Sequence, residues 1–125
     1  MTEPLRTLET ATVLLVIAAL GGLLMAGIRL TRKTNPPAWL AMAHGFLAAS
    51  PVVLLLYAAC TVGLPALALY GTVLFVIAAL GGVTLNLGYH WKNLPLPQGL
   101  MIGHAALAII GFVLVVMATL TARAG

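Results

Sequence analysis

Two histidines, His44 and His104, are the residues of this chain best suited to chemistry. They are related by an internal repeat, because the sequence TVLLVIAALGG that begins at Thr12 returns as TVLFVIAALGG at Thr72, an offset of 60 residues. The same offset carries His44 onto His104. Neutral imidazole is a common metal ligand. A ligand supplied once by each half of a duplicated chain suggests two ligands that converge on one centre.

The elements that carry these histidines are predicted to be transmembrane helices. Hydrophobic residues make up 62% of the chain and charged residues only 6%, which is far from the composition of a soluble domain. A membrane-spanning helix needs about 20 mainly apolar residues. Four stretches qualify, at residues 10–30, 38–59, 65–89 and 97–121. The first is too long for a signal peptide and positive charge follows it, so we expect a retained helix.

Short connections between these stretches predict an all-α, four-transmembrane-helix bundle in up-down-up-down order. Residues 1–125 then form a single transmembrane domain made of two duplicated helical hairpins, at about 10–59 and 65–121. The lone Cys60 is predicted to be a small buried hydrophobe. Pro51 and its repeat partner Gly111 are expected to permit helix bending.

The charged residues predict how the bundle is oriented. Positive residues flank the two hairpin loops: Arg29, Arg32, Lys33 and Lys92. At the other end, Arg6 and Arg123 are offset by Glu3 and Glu9. By the positive-inside rule, the hairpin loops are cytoplasmic and both termini lie outside, in what we expect to be a bacterial inner membrane. No basic patch interleaved with aromatic residues exists, so nucleic acid is not an expected partner. His90, beside the second loop, is interpreted as a solvated surface residue.

The repeat preserves the helix face that carries the histidines. Most identities between the second and fourth stretches fall within about a third of the helix circumference, and His44 lies inside that arc. Each histidine is seven residues beyond a proline, Pro37 or Pro97. Both rings are therefore expected about 10 Å inside the same end of the bundle. At a similar depth, the other two stretches hold two glycine pairs: Gly21 and Gly22, Gly81 and Gly82.

This layer of histidines and glycines would accommodate a flat macrocycle, with a metal held between the imidazoles and the ring edges against the glycines. Haem b fits that description. Ligation by two imidazoles leaves no open position on the iron and favours electron transfer.

The pattern resembles the four-helix haem-binding bundle of the membrane b-type cytochromes, which include cytochrome b of the quinol-oxidising complexes. The resemblance covers the architecture of the four stretches and is not an aligned signature. It implies that His44 and His104 are axial ligands and that Gly21, Gly22, Gly81 and Gly82 pack against haem. Cytochrome b carries two histidines on each ligand helix, whereas this chain has one, which implies a single haem near the cytoplasmic side. A membrane quinone or a partner oxidoreductase is the expected exchange partner, and an oligomer is compatible with the sequence.

Other functions stay open. Paired histidines can hydrogen-bond between helices or relay protons, and Met42 and Met101 near the histidines raise a copper site as an alternative. A cofactor-free scaffold or assembly subunit fits the same composition, and so, less well, does a transporter, since no acidic residue lies within a predicted span. Asn86 is expected either to bond between helices or to face a haem propionate or a quinone. The two acidic residues, Glu3 and Glu9, lie near the N-terminus, so an enzyme in its own right is not expected.

Overall fold

In the computed structural model, which describes residues 2–125, the chain is all-α. The helices are α1 (Glu3–Arg32), α2 (Ala38–Thr61), α3 (Ala66–Val83) and α4 (Gln98–Ala124), and a π-helical segment, Thr84–His90, continues α3. With that segment counted as part of α3, all four helices are long and apolar enough to cross a membrane. The predicted all-α fold of four helices is confirmed, and it is consistent with a multi-pass membrane protein. Pro37, Pro65 and Pro97 cap the starts of α2, α3 and α4.

Two closely packed helix pairs, α1 with α2 and α3 with α4, are joined by contacts of α1 with α4 and of α2 with α3. Glycines bring α3 and α4 together. A Cβ atom on Gly71 would lie 2.9 Å from the carbonyl oxygen of Gly111, and one on Gly111 would lie 3.1 Å from that of Gly71. The structure therefore gives Gly111 a role in close helix packing. In the α1–α2 pair, the repeat partners of Gly71 and Gly111 are Ala11 and Pro51, and both are buried.

The apolar core lies in the half of the bundle that carries the chain termini, here called the terminal half. Its buried cluster consists of Leu8, Ala11, Leu15, Val52, Leu55, Ala68, Phe75, Val115 and Ala118. The other half, called the loop half, buries few residues. Within 19–50 these are Pro36 and Leu40, and within 79–110 they are Leu85 and Leu96. The loop half thus has fewer buried residues than the terminal half.

Hydrogen bonds between the two hairpin loops close the loop half. The Arg29 guanidinium donates to the carbonyl oxygen of Leu96 from Nη2 at 3.0 Å and from Nε at 3.3 Å. Asn35 donates to the carbonyl oxygen of Leu94 at 2.8 Å and accepts from the Leu96 N–H at 3.1 Å. The first hairpin therefore holds the loop of the second through four hydrogen bonds.

The π segment supplies the reciprocal contact. His90 lies with Nε2 2.8 Å from the carbonyl oxygen of Pro36, and Pro36 is the repeat partner of Leu96. The repeat partner of Arg29 is Tyr89, but the residue that makes the reciprocal contact is His90, one position further along the chain. The reason is that a π turn is wider than an α turn, so it changes the direction of the side chains that follow. The interpretation of His90 as a solvated surface residue is wrong, since its ring is partly buried and hydrogen-bonded.

Candidate functional site

His44 on α2 and His104 on α4 lie next to each other in the loop half, on the side that adjoins the terminal half. Their ring centroids are 6.4 Å apart, and the ring planes are inclined by 81°. Both residues are partly buried. The two histidines that the repeat singles out are therefore at one level of the bundle and within reach of a single bound ion.

Each imidazole is held by a backbone carbonyl of the helix paired with its own. Nδ1 of His44 lies 2.9 Å from the carbonyl oxygen of Ala18, and Nδ1 of His104 lies 2.7 Å from that of Ala78. A carbonyl only accepts, so in the neutral ring Nδ1 carries the proton and donates it, and Nε2 keeps its lone pair. No residue in 2–125 hydrogen-bonds to either Nε2 atom. In metal sites, such an outer hydrogen bond fixes the ring orientation and makes the ligand nitrogen more basic.

The glycines make room for these rings. A Cβ atom on Gly22 would lie 3.0 Å from Cε1 of His44, and one on Gly82 would lie 3.1 Å from Cε1 of His104. A Cβ atom on Gly21 would lie 3.7 Å from Nδ1 of His44, and one on Gly81 would lie 3.8 Å from Nδ1 of His104. The glycine layer lies at the histidine level, and here it faces the imidazoles. Its contact with a macrocycle stays a prediction.

The ring spacing indicates which coordination geometry two imidazoles could provide. A metal–imidazole bond is about 2.0–2.1 Å and the ring nitrogen lies about 1.2 Å from its centroid, so two rings on opposite sides of one ion have centroids roughly 6.4 Å apart, against roughly 5.2 Å for a tetrahedral ion. The observed 6.4 Å is compatible with the first arrangement. Edge-to-face packing of two rings also falls within about 4.5–7 Å, which is the cofactor-free alternative.

The described residues, 2–125, contain no group of three or more histidine, cysteine or acidic side chains that could hold a metal ion. A ligand set built from these side chains is therefore limited to the two imidazoles. Four-coordinate zinc sites normally use more protein ligands than two.

An apolar groove of about 260 Å³ runs between α1 and α4. Ala26, Ala105 and Ala106 help to line it, and their small side chains leave it open. On the other face of the bundle, the repeat partners of Ala26 and Ala106 are the larger Asn86 and Phe46. Neither His44 nor His104 lines this groove.

Several polar residues named from the sequence have other partners in the structure. Asn86 donates to Sδ of Met42 at 3.9 Å, which is a hydrogen bond between helices, as one of the two sequence interpretations predicts. Met101 lines the groove between α1 and α4.

Cys60 is exposed, so its interpretation as a buried hydrophobe is wrong. The reason is that it lies on the outward face of α2 near its end.

The carbonyl groups of Ala18 and Ala78 are site components that the sequence did not reveal, because every residue has a carbonyl and its partner depends on helix packing. The repeat did contain a signal, since both histidines lie 26 residues beyond the carbonyl that they bind. No family model matches this chain, and no curated protein or solved structure matches it either.

Proposed function

We propose that this chain is a membrane-embedded b-type cytochrome that binds one haem b through His44 and His104 and transfers single electrons. The observation that carries the proposal is the pair of rings at 6.4 Å, each with Nδ1 held by a carbonyl and Nε2 without a partner in 2–125. Bound haem iron supplies one-electron oxidation and reduction, and two imidazole ligands leave it no open position.

The loop half has more room for burial than the terminal half. Only four residues within 19–50 and 79–110 are buried, whereas the terminal half contains the whole buried apolar cluster. A large apolar group bound at the histidines would add buried contacts to the loop half.

Within the proposal, the chain's own residues position and orient the ligands. The carbonyls of Ala18 and Ala78 hold the tautomer in which Nε2 is the ligand atom. Gly22 and Gly82 let the rings lie close enough to α1 and α3 to make those bonds. In an up-down-up-down bundle of duplicated hairpins, α2 and α4 are diagonal, which places the ligands on opposite sides of the bundle interior.

The proposal also includes an orientation and partners. By the positive-inside rule, the hairpin loops face the cytoplasm and the termini face outward in a bacterial inner membrane. The loop half, with the histidines, would then lie on the cytoplasmic side. A membrane quinone or a partner oxidoreductase is the proposed electron donor or acceptor, since a six-coordinate iron exchanges electrons without binding a substrate.

Absorption spectra of the purified protein, oxidised and then reduced, test the cofactor. We expect a Soret band and the sharp reduced bands of a low-spin, bis-imidazole haem. His44→Ala and His104→Ala each remove one ligand and should abolish that spectrum. His90→Ala is the matched control, because His90 is the third histidine and bonds to Pro36 in the loops; it should keep the spectrum.

Two further readouts separate the alternatives. The rings are inclined by 81°, and nearly perpendicular axial ligands give ferric haem a strongly anisotropic low-spin electron paramagnetic resonance signal. Metal analysis of the same sample distinguishes iron from copper. Absence of haem from protein made with sufficient haem, or an unchanged spectrum in both ligand variants, would overturn the proposal in favour of a cofactor-free bundle.

A further inference from the structure

A second groove, between α1 and α4 in the terminal half, combines polar and charged side chains with apolar walls. Its volume is about 480 Å³. The polar residues that line it are Glu9, Thr10, Thr12, Thr119 and Arg123, and the apolar ones include Val13, Val116 and Leu120. It lies at the end of the bundle away from the hairpin loops, so the histidine site does not account for it.

Arg123 and Glu9 form an ion pair at this groove, and some of their donor and acceptor groups have no hydrogen-bond partner in 2–125. Arg123 donates from Nε to Oε1 of Glu9 at 2.6 Å, and the two side chains are 58% and 23% exposed. Deeper in the groove, the hydroxyls of Thr12 and Thr119 lie 3.1 Å apart. No residue in 2–125 hydrogen-bonds to the two Nη groups of Arg123 or to Oε2 of Glu9. The groove therefore offers both charged donors and a charged acceptor.

The repeat shows that this polarity is specific to one face. At an offset of 60 residues, the partners of Glu9, Thr119 and Arg123 are Leu69, Ala59 and Gly63. The duplicated chain thus has apolar or small residues where this groove has its charges.

The ion pair lies toward the end of the bundle that carries the chain termini. Glu9 is six residues after Glu3, where α1 begins, and Arg123 is one residue before Ala124, where α4 ends. A helix as long as α1, with 30 residues, extends beyond the roughly 30 Å hydrocarbon core of a bilayer, so side chains near its end are expected close to the lipid headgroups. From that level the walls of the groove continue toward the membrane centre as Val13 and Val116.

We propose that this groove binds a zwitterionic phospholipid with a primary ammonium, of the phosphatidylethanolamine type. The phosphate oxygens accept from the Nη groups of Arg123, the ammonium donates to Glu9, and an acyl chain follows Val13, Val116 and Leu120. Charge-assisted hydrogen bonds of this kind are the strong ones. Because Arg123 and Glu9 neutralise each other, the groove matches a headgroup with no net charge better than an anionic one.

Lipid retention tests the proposal without reference to haem. The protein is incorporated into phosphatidylcholine vesicles that contain added phosphatidylethanolamine or phosphatidylglycerol, extracted in mild detergent, and analysed for bound lipid by native mass spectrometry. The wild-type chain should retain phosphatidylethanolamine over phosphatidylcholine by at least about tenfold, since a tenfold preference corresponds to about 1.4 kcal/mol, close to the lower limit for one hydrogen bond to a charged group.

Glu9→Gln should remove the preference for phosphatidylethanolamine over phosphatidylcholine, because the two lipids differ in the N–H donors of the ammonium. Arg123→Gln should reduce retention of both. The matched controls are Glu3→Gln and Arg6→Gln, since these residues form an exposed pair within one turn of α1 outside the groove; they should behave as wild type. Exposed ion pairs add little stability, so the variants should fold, which circular dichroism checks.

Three results would overturn the proposal. One is wild-type protein with no preference for phosphatidylethanolamine. Another is an unchanged preference in Glu9→Gln. The third is stronger retention of phosphatidylglycerol, or of a quinone added to the same vesicles, which would assign the groove to an anionic lipid or to a redox ligand.

Discussion

At the scale of single residues, each half of the site is a histidine, a glycine and a carbonyl that depend on one another. The carbonyl of Ala18 lies one turn before Gly22, and the His44 ring lies over both. The absence of a side chain at Gly22 is what lets Nδ1 approach the backbone of α1. The second half of the site repeats this arrangement with Ala78, Gly82 and His104.

We expect Gly22→Ala to weaken haem binding by about five- to tenfold. The added Cβ would lie 3.0 Å from Cε1 of His44, so the ring must move and its hydrogen bond, which contributes about 1 kcal/mol, is strained or lost. Titration of the apoprotein with haem, followed by absorbance, measures the change.

The control is Gly27→Ala on the same helix, where an added Cβ meets nothing within 4 Å. It should bind haem as the wild type does, because alanine also favours the helix. Equal affinity for the two variants would show that Gly22 does not set the position of His44.

At the scale of elements, the sequence located all four helices but not their irregular part. The predicted stretches 10–30 and 97–121 are shorter than Glu3–Arg32 and Gln98–Ala124, because hydropathy ends where polar end-turns begin. The π segment, Thr84–His90, was predicted as ordinary span. Whether the backbone hydrogen bonds of a helix end follow the α or the π pattern depends on how that end meets the loops. Composition does not encode this choice.

The sequence likewise predicted some residues of the site and missed other contacts. The repeat identified the two histidines and the glycines at their level, since duplicated positions that keep one face of a helix are visible in sequence. The Gly71–Gly111 contact and the loop bonds of Asn35 were missed, because a glycine in a helix or an asparagine in a loop has many possible partners until the helices are packed.

Gly71→Ala should destabilise the bundle by about 1–3 kcal/mol, the usual cost of overpacking. Its Cβ would lie 2.9 Å from the Gly111 carbonyl oxygen and 2.9 Å from Cγ2 of Val115, and the backbone atom can move only if α3 and α4 separate. Unfolding in mixed detergent micelles, followed by circular dichroism, measures the free energy.

Gly103→Ala on α4 is the control, since an added Cβ there has open space within 4 Å. The two variants change the same residue type in neighbouring helices. If they proved equally stable, close approach of α3 and α4 at Gly71 would not contribute to stability.

At the scale of the whole molecule, the bundle has a terminal half closed by a buried apolar cluster and a loop half tied together by hydrogen bonds between its loops. Side-chain packing stabilises the first half and polar contacts stabilise the second. Regions with few buried apolar contacts open at lower free energy than the core.

Haem binding should therefore protect the two halves unequally. Addition of haem at a hundred times its dissociation constant stabilises a protein that binds only when folded by about 2.7 kcal/mol. Hydrogen exchange measured by mass spectrometry, with and without haem, should slow mainly in residues 19–50 and 79–110, where few residues are buried.

Peptides from the buried cluster, such as those that contain Leu55 or Val115, serve as the internal reference and should change little. Equal slowing throughout the chain would mean that the loop half is not a separate unit of stability. Faster exchange in the loop half would mean that haem does not bind there.

The unequal halves imply an order of biosynthesis. Since the terminal half is closed by its own side chains, the chain can insert and assemble before any prosthetic group arrives. If haem b binds as proposed, it would therefore join helices that are already inserted. Maturation would then be a late step within the membrane.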